Sequence, residues 1–220
     1  MGSSVGEKYQ SHVLPVIIEH LEPVLGEWIW LEYQHASRMV GDKNITFANV
    51  KNKREAHKLR EIGKVTHNSV VELRNIIGIS LVVLDPQAPV ELSPRDFSLD
   101  ISLVVGGILG DHPARGRTRQ SITTKIPESQ SRNLGPHQFS VDGAIYVALQ
   151  VAANRDISEI PVEVGMEVTV SKRHTDLLPF AYPLVEGKPL LTPGLREYLR
   201  RGISRDEEVL FRTGRPRSVA

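Results

Sequence analysis

Short apolar runs alternate with amphipathic stretches along the first half of the chain. Runs rich in Val, Ile and Leu predict buried strands at residues 13–18, 45–50, 79–84 and 99–105, with a shorter strand at 65–67. Apolar residues repeat at helical spacing between these runs, which predicts helices at residues 27–40, 53–62 and 69–77. Because strands that alternate with helices form parallel βαβ units, the pattern indicates an α/β protein with a mainly parallel sheet.

The second half of the chain changes character twice. A stretch rich in Gly, Pro, Ser and Arg runs to Ser140, and a clear amphipathic helix follows with Ser140 as its predicted cap. Beyond Asn154, short alternating pieces and an Arg-rich end predict a β-hairpin extension and a tail. We therefore predict a first domain at residues 12–155 and a C-terminal extension with a basic tail at residues 156–220.

Composition narrows the chemistry. The 220 residues include 27 Lys plus Arg, 26 Asp plus Glu and no Cys, which excludes disulfides, Cys-ligated metals and thiol nucleophiles. The net charge of +1 gives no sign of nucleic-acid binding by itself. The longest nearly apolar run, residues 76–84, is far shorter than the roughly 20 residues that cross a bilayer. Since the N-terminus shows no signal peptide, we expect a cytoplasmic protein without a membrane partner.

The loop after the strand at 99–105 carries the densest chemistry. Residues 106–118 read GGILGDHPARGRT, and after three glycines they supply the side chains of Asp111, His112, Arg115 and Arg117. Ligands of parallel sheets bind beyond the carboxyl ends of the strands, which is where this loop lies. Its spacing fits neither a phosphate-binding nor a dinucleotide-binding loop. Adjacent residues seldom bind one metal ion, so Asp111 and His112 predict no metal site. A turn with solvated charges is the alternative.

A second candidate is the segment 131–144, which reads SRNLGPHQFSVDGA. Gln138 stands just before a predicted helix, and the free N–H groups of a helix start attract anions such as a ligand carboxylate. An ordinary helix entry is the alternative interpretation of this segment.

A third candidate is a group of acidic residues near the N-terminus. Glu19 and His20 end the first predicted strand, and Glu27 and Glu32 follow in the next helix. The position of Glu19 at the carboxyl end of a buried strand favours a functional role. For Glu32 we expect a surface carboxylate in the first turns of a helix.

Five segments together carry a resemblance to a known family. They are IIEHLEPVLGEWIWLEY at residues 17–33, LDP at 84–86, GGILGDHPARGRT at 106–118, RNLGPHQFSVDGA at 132–144 and LLPFAYPLVEGKPLLTPGL at 177–195. Over about residues 16–196 the chain resembles one branch of the SPOUT, or α/β-knot, methyltransferases. That branch contains a fungal arginine methyltransferase of a ribosomal protein and archaeal proteins described as predicted RNA methyltransferases.

The resemblance implies a parallel sheet whose C-terminal part threads a deep trefoil knot and holds S-adenosylmethionine. Three loops would supply the cofactor-binding residues, which are Leu84, Asp85, Pro86, Gly106, Gly107, Ile108, Gly110, Asp111, His112, Leu134, Gly135 and Gln138. The family pattern also implies a helix at about residues 117–125 and a strand at about 129–134. Local propensity alone predicts a strand at the β-branched residues 121–124, and here we follow the family pattern.

Methyl transfer from a sulfonium requires the nucleophile, the methyl group and the sulfur to lie in line. A carboxylate can hold an arginine guanidinium and orient one of its nitrogens. The candidate catalytic residues are accordingly Glu19, Asp111 and Glu27. The candidate substrate-binding residues are His20, Arg115 and Arg117.

Three functions stay open at this point. The first is methylation of an arginine side chain in a ribosomal or translation-related protein. The second is methylation of tRNA or rRNA, since the Arg-rich residues 196–217 could follow a phosphate backbone. However, RNA-modifying SPOUT proteins often carry an early catalytic arginine, and Arg38 and Arg54 lie on predicted helices without a matching motif. The third is a non-catalytic module that binds the cofactor or docks on the ribosome. A homodimer and a monomer are both compatible with the sequence.

Overall fold

The computed structural model describes residues 14–77, 80–110, 115–171 and 174–220. Six parallel strands form one sheet in the order β3-β2-β1-β5-β4-β6. The strands are β1 (Val16–His20), β2 (Ile45–Ala48), β3 (Lys64–Val65), β4 (Ser80–Leu84), β5 (Ile101–Gly107) and β6 (Gln130–Arg132). The mainly parallel α/β sheet predicted from the sequence is confirmed.

Six α-helices accompany the strands in the described parts of the chain. They are α1 (Glu27–Val40), α2 (Lys53–Leu59), α3 (Val70–Ile77), α4 (Arg117–Ser121), α5 (Val141–Ala152) and α6 (Leu195–Thr213). None of these helices has the length and apolar content that a membrane crossing would need.

Helix α1 forms because its apolar residues make one continuous stripe. Ile29, Tyr33 and Ala36 are buried at helical spacing, and the ring of Tyr33 packs 5.1 Å from that of Phe47 on β2. The helix ends where Gly41 takes a φ of 87° and donates its N–H to the carbonyl of Ser37. The helix therefore begins and ends as the sequence predicted.

The segment after β5 is helical, so the strand that local propensity predicts at residues 121–124 is wrong. Helix α4 is followed by a 3-10 turn at Thr123–Lys125, and β6 comes next, as the family pattern implied. Ile122 and Ile126 are fully buried on the sheet, together with Val83 and Val104. Tertiary packing of these two side chains overrides the β propensity of the segment.

The central strands are buried on both faces. One face of the sheet packs against α1, α2 and α5, and the other packs against α3 and the turn that follows α4. All residues of β1 and β5 are buried, which explains why both strands are mostly apolar in the sequence.

A smaller antiparallel sheet follows α5, as the predicted β-hairpin extension required. It consists of β7 (Val162–Ser171), β8 (His174–Val185) and β9 (Lys188–Pro189). Helix α6 packs on β7, where Leu195 and Leu199 join Met166 and Val168 in a separate apolar cluster. Trp28 of α1 packs against this cluster, which ties the small sheet to the parallel sheet.

The last residue of β5 leaves no room for a side chain. A Cβ on Gly107 would lie 2.1 Å from the Tyr33 hydroxyl and 2.7 Å from a methyl group of Ile18. We therefore expect Gly107→Ala to lower the free energy of unfolding by about 1–3 kcal/mol, measured by urea denaturation. Gly26→Ala is the control, since its Cβ would approach only one atom, at 3.9 Å, and should destabilise less. Equal unfolding midpoints for the two variants would contradict this prediction.

Candidate active site

A pocket opens where the carboxyl ends of β4 and β5 meet the loop before α5. The space between its walls, counted out to open solvent, is about 810 Å³. Its walls are made by residues Leu84, Asp85, Pro86, Gln87, Val105, Gly106, Ile108, Gly110, Arg115, Gly116, Arg117, Thr118, Arg132, Leu134, Gln138, Phe139, Ser140, Val141 and Ala144. We call this space the cofactor pocket.

Most of the predicted cofactor-binding residues lie in the walls of this pocket. Those that do are Leu84, Asp85, Pro86, Gly106, Ile108, Gly110, Leu134 and Gln138. Gly107 instead lies beneath Tyr33, and Gly135 forms a turn with a φ of 83° outside the lining. Asp111 and His112 fall outside the described residues.

Two glycines allow the walls to approach each other closely. A Cβ on Gly106 would lie 2.8 Å from the hydroxyl of Thr118, and one on Gly110 would lie 2.5 Å from the side-chain amide of Gln138. Gly106 near the end of β5 can therefore lie against α4, and Gly110 against the loop before α5, only because no side chain intervenes. The glycine-rich motif therefore allows its backbone to lie close to the neighbouring walls of the pocket.

Asp85 lies in the pocket wall and braces the loop after β4. It is 1% exposed, and its carboxylate accepts hydrogen bonds from the Gln87 N–H and the Thr123 hydroxyl, both at 2.9 Å. Its own N–H donates to the carbonyl of Arg132 at 2.9 Å. These contacts fix the positions of β4, β6 and the turn after α4 around the pocket.

Three arginines border the cofactor pocket. Arg117 donates to the carbonyl of Leu109, and Arg132 forms an ion pair with Asp96 at 2.7 Å. Arg115, the third, was predicted together with Arg117 to bind substrate. The sequence reasoning did not single out Arg132, because its place next to the pocket depends on β6 pairing with β4.

Two carboxylates are buried between α1 and the start of α5. Glu32 accepts hydrogen bonds from the Val141 N–H at 3.0 Å and from the Trp28 indole at 2.8 Å. Asp142 lies within 2.7 Å of a His35 ring nitrogen and accepts the Thr192 hydroxyl at 2.6 Å. The expectation that Glu32 is a surface carboxylate is wrong, because only 3% of this residue is exposed. The sequence suggested that a ligand carboxylate could bind at the start of α5. In the structure the carboxylate of Glu32 occupies this position.

Glu19 and His20 lie in the interior, outside the lining of the cofactor pocket. The Glu19 carboxylate accepts hydrogen bonds from the Ser69 hydroxyl and, at 2.8 Å, from the Val70 N–H, so it caps the start of α3. Burial raises the pKa of Glu19. His20 Nδ1 lies 3.0 Å from the Tyr33 hydroxyl, and burial lowers the pKa of His20.

A second cavity, of about 770 Å³ counted in the same way, lies between α1 and α6. Its walls include four carboxylates and two large aromatic rings, which belong to Glu22, Glu27, Asp206, Glu207, Trp28 and Tyr198. We call it the acidic cavity. The predicted catalytic residue Glu27, the first residue of α1, lies here together with Glu22, which precedes the helix.

The two spaces share a wall, the loop that follows β5. Leu109 lines the acidic cavity, whereas its neighbours Ile108 and Gly110 line the cofactor pocket. Glu22 holds this wall, because its carboxylate accepts the Leu109 N–H at 2.8 Å. Sequence reasoning missed Glu22, although its place just beyond the carboxyl end of β1 was a usable signal.

No group of three or more His, Asp or Glu side chains in the described residues is arranged to hold a metal ion. The chain that forms the two adjoining spaces is therefore compared with related proteins. Residues 15–206 match the family described as "Protein arginine N-methyltransferase SFM1-like".

The chain belongs to the SFM1-like protein arginine N-methyltransferase family. Protein arginine N-methyltransferase SFM1 of Saccharomyces cerevisiae is 31% identical over 202 residues, which cover 84% of this chain and 93% of the yeast protein. The resemblance to this branch of methyltransferases, stated from sequence motifs, is confirmed.

Solved structures of the yeast relative have the same fold. The crystal structure of yeast SFM1 complexed with SAH matches with a TM-score of 0.77 and 29% identity, covering 86% of this SFM1-like chain and 97% of the yeast chain. The complex with SAM matches with the same TM-score and identity, covering 87% and 92%. Trm10 from Thermococcus kodakaraensis, at a TM-score of 0.52 and 18% identity over 66% of this chain and 96% of its own, shares the fold.

The buried carboxylates of this SFM1-like chain predict a pH dependence of stability. Burial, together with the nearby Asp142, raises the pKa of Glu32 well above the ordinary 4.5. At pH values between the ordinary pKa of the unfolded chain and the raised pKa of the folded chain, the folded chain binds more protons. The contribution of Glu32 to stability therefore falls as pH rises through this interval. Glu32→Gln keeps an acceptor oxygen and cannot ionise, so its thermal midpoint should fall less steeply between about pH 5 and 8.

The control for this pH profile is Glu61→Gln. The Glu61 side chain is 51% exposed and pairs only with Lys58 on the surface, so its removal should leave the slope unchanged. Parallel profiles for Glu32→Gln and the unmodified chain would contradict the prediction.

Proposed function

We propose that this chain is an S-adenosylmethionine-dependent methyltransferase that modifies arginine side chains of a ribosomal or translation-related protein. The observation that carries the proposal is the shared wall between the cofactor pocket and the acidic cavity. Relatives support it, since yeast SFM1 is an arginine methyltransferase whose structures hold SAM and SAH.

The residues of the cofactor pocket fit S-adenosylmethionine. Leu84, Ile108 and Leu134 offer apolar faces for a purine ring, and the backbone groups between them remain close enough to read its edge. Arg115 and Arg117 supply positive charge for an amino-acid carboxylate. The cofactor supplies a methyl group on a positively charged sulfur, which is an electrophile for an arginine nitrogen.

The acidic cavity fits the arginine of a protein substrate. Carboxylates hold a guanidinium through paired hydrogen bonds, and aromatic faces attract its delocalised charge. We assign Glu22 and Glu27 to this role, with Trp28 as the aromatic wall. These carboxylates would stabilise the positive charge of the methylated guanidinium, and one of them would accept the proton that its nitrogen loses. Asp111 keeps its proposed catalytic role as the carboxylate of the same loop.

Two of the seven arginines in residues 196–217 contact carboxylates of the chain itself, which favours a protein substrate over RNA for these two side chains. Arg217 forms ion pairs with Glu27 and Asp206, and Arg201 pairs with Glu197 along α6. These guanidinium groups are engaged by carboxylates, whereas binding to RNA requires them for phosphates.

We further propose that the segment through β6 and α5 forms a trefoil knot. In support, the chain passes from β5 to the far side of β4 and then returns to α1 through α5. The proposed division into residues 12–155 and 156–220 is supported by the change of sheet between α5 and β7. A translation-related substrate also agrees with the cytoplasmic location expected from the sequence.

The choice of substrate is tested by transfer of a labelled methyl group. The chain is incubated with labelled S-adenosylmethionine and either ribosomal protein or ribosomal and transfer RNA, each purified from the other. We expect label in the protein fraction, released as methylarginine on acid hydrolysis. Label confined to RNA would reject the proposal, and label in neither fraction despite cofactor binding would favour a binding module.

A second test concerns the predicted catalytic role of Glu19. If Glu19 is catalytic, Glu19→Gln abolishes turnover and leaves the calorimetric affinity for S-adenosylhomocysteine nearly unchanged. Glu72→Gln is the matched control, because the exposed Glu72 carboxylate accepts the Ser69 N–H in the same turn. Loss of thermal stability with turnover retained would show that Glu19 only caps α3.

A further inference from the structure

The C-terminal residues return across the start of α1 after α6 ends. The Val219 N–H donates to the carbonyl of Leu25 at 2.9 Å, and the Ser218 hydroxyl donates to Glu55 at 2.9 Å. This segment, residues 214–220, therefore runs beside the acidic cavity, and its Pro216 and Arg217 belong to the cavity's lining.

Arg217 places its guanidinium among the groups that would recognise an arginine of a substrate. Its Nη1 lies 3.0 Å from Asp206 Oδ1 and 3.4 Å from Glu27 Oε2. The second oxygen of Asp206 accepts the Tyr198 hydroxyl at 2.9 Å, and the Tyr198 ring packs edge-on against Trp28 at 6.2 Å. Two carboxylates thus contact a guanidinium supplied by the chain itself, and two aromatic rings line the same cavity.

The ion pairs of Arg217 can be replaced by those of another guanidinium. Its side chain remains 26% exposed, and ion pairs in contact with water contribute little net stability. A tethered segment nevertheless competes strongly, because the tether gives it a high effective concentration at its site. The segment can therefore occupy the cavity in the resting chain and still be displaced by a ligand of the same chemistry.

We propose that the C-terminal segment is a built-in competitor, in which Arg217 occupies the subsite for a basic side chain of the protein substrate. This inference rests on the proposed arginine methyltransferase activity. An arginine-bearing peptide binds by displacing residues 214–220, and it gains the same two carboxylates that Arg217 gives up. The segment thereby sets the substrate concentration at which the enzyme responds.

A binding experiment tests the competition without requiring methyl transfer. The probe is a fluorescent peptide of sequence RPRSVA, which corresponds to residues 215–220. It should bind to a chain that ends at Gly214 at least about tenfold more tightly than to the full chain. A peptide with citrulline in place of the second arginine keeps the shape without the charge and should bind several-fold more weakly. Equal binding to both chains, or equal binding of both peptides, would overturn the inference.

Kinetics on the full chain provide the second measurement, in case the shortened chain does not fold. In Arg217→Gln the guanidinium is lost and the segment stays attached. The KM for the ribosomal-protein substrate should therefore fall about three- to fivefold with kcat unchanged. Arg215→Gln is the control, because it removes the same charge from an exposed side chain two residues away. An unchanged or higher KM in Arg217→Gln would show that Arg217 only fastens the C-terminus.

The two proposals fail in distinguishable ways. A chain that methylates neither protein nor RNA would reject the proposed activity, while peptide binding could still show the competition. A chain that methylates protein with the same KM in Arg217→Gln and in the unmodified sequence would reject the competition alone.

Discussion

The contact between α1 and the start of α5 is the constraint on which the rest of the molecule depends. Two carboxylates, Glu32 and Asp142, are removed from water there, which is costly unless each oxygen finds a donor. The donors come from three regions of the chain, namely α1 itself, the first N–H of α5 and Thr192 beyond the small sheet. Satisfying the two groups therefore requires all three regions to be in place together.

This requirement fixes the cofactor pocket. Ser140 and Val141, at the start of α5, belong to the pocket wall, and Gln138 stands two residues before Ser140. When Glu32 holds the Val141 N–H, it also sets how far the preceding loop stands from the ends of β4 and β5. The buried carboxylates thus act on the site through backbone position, without facing a ligand.

The loop after β5 carries the other half of the functional argument. Because Gly106 and Gly107 at the end of β5 and Gly110 in the loop have no side chains, neighbouring groups approach the backbone closely, and the cofactor pocket and the acidic cavity share this loop as a wall. The net charge of +1 conceals this arrangement, since acidic groups gather on one side and arginines border the other. The proposed transfer needs that separation of charge between a cofactor carboxylate and a substrate guanidinium.

Periodicity and motifs in the sequence were enough to predict the parallel sheet, the ends of α1 and most of the residues that line the cofactor pocket. Local patterns suffice for this because they encode burial and chain reversal. Only the tertiary structure decided which carboxylates face which space. Glu19 points beneath α3, Glu32 is buried against α5, and Glu22 supports the shared wall. It also decided that Arg217, at the end of the sequence, meets Glu27 near its beginning. Such contacts join residues up to 190 positions apart, and no local pattern records which distant group will satisfy a charge.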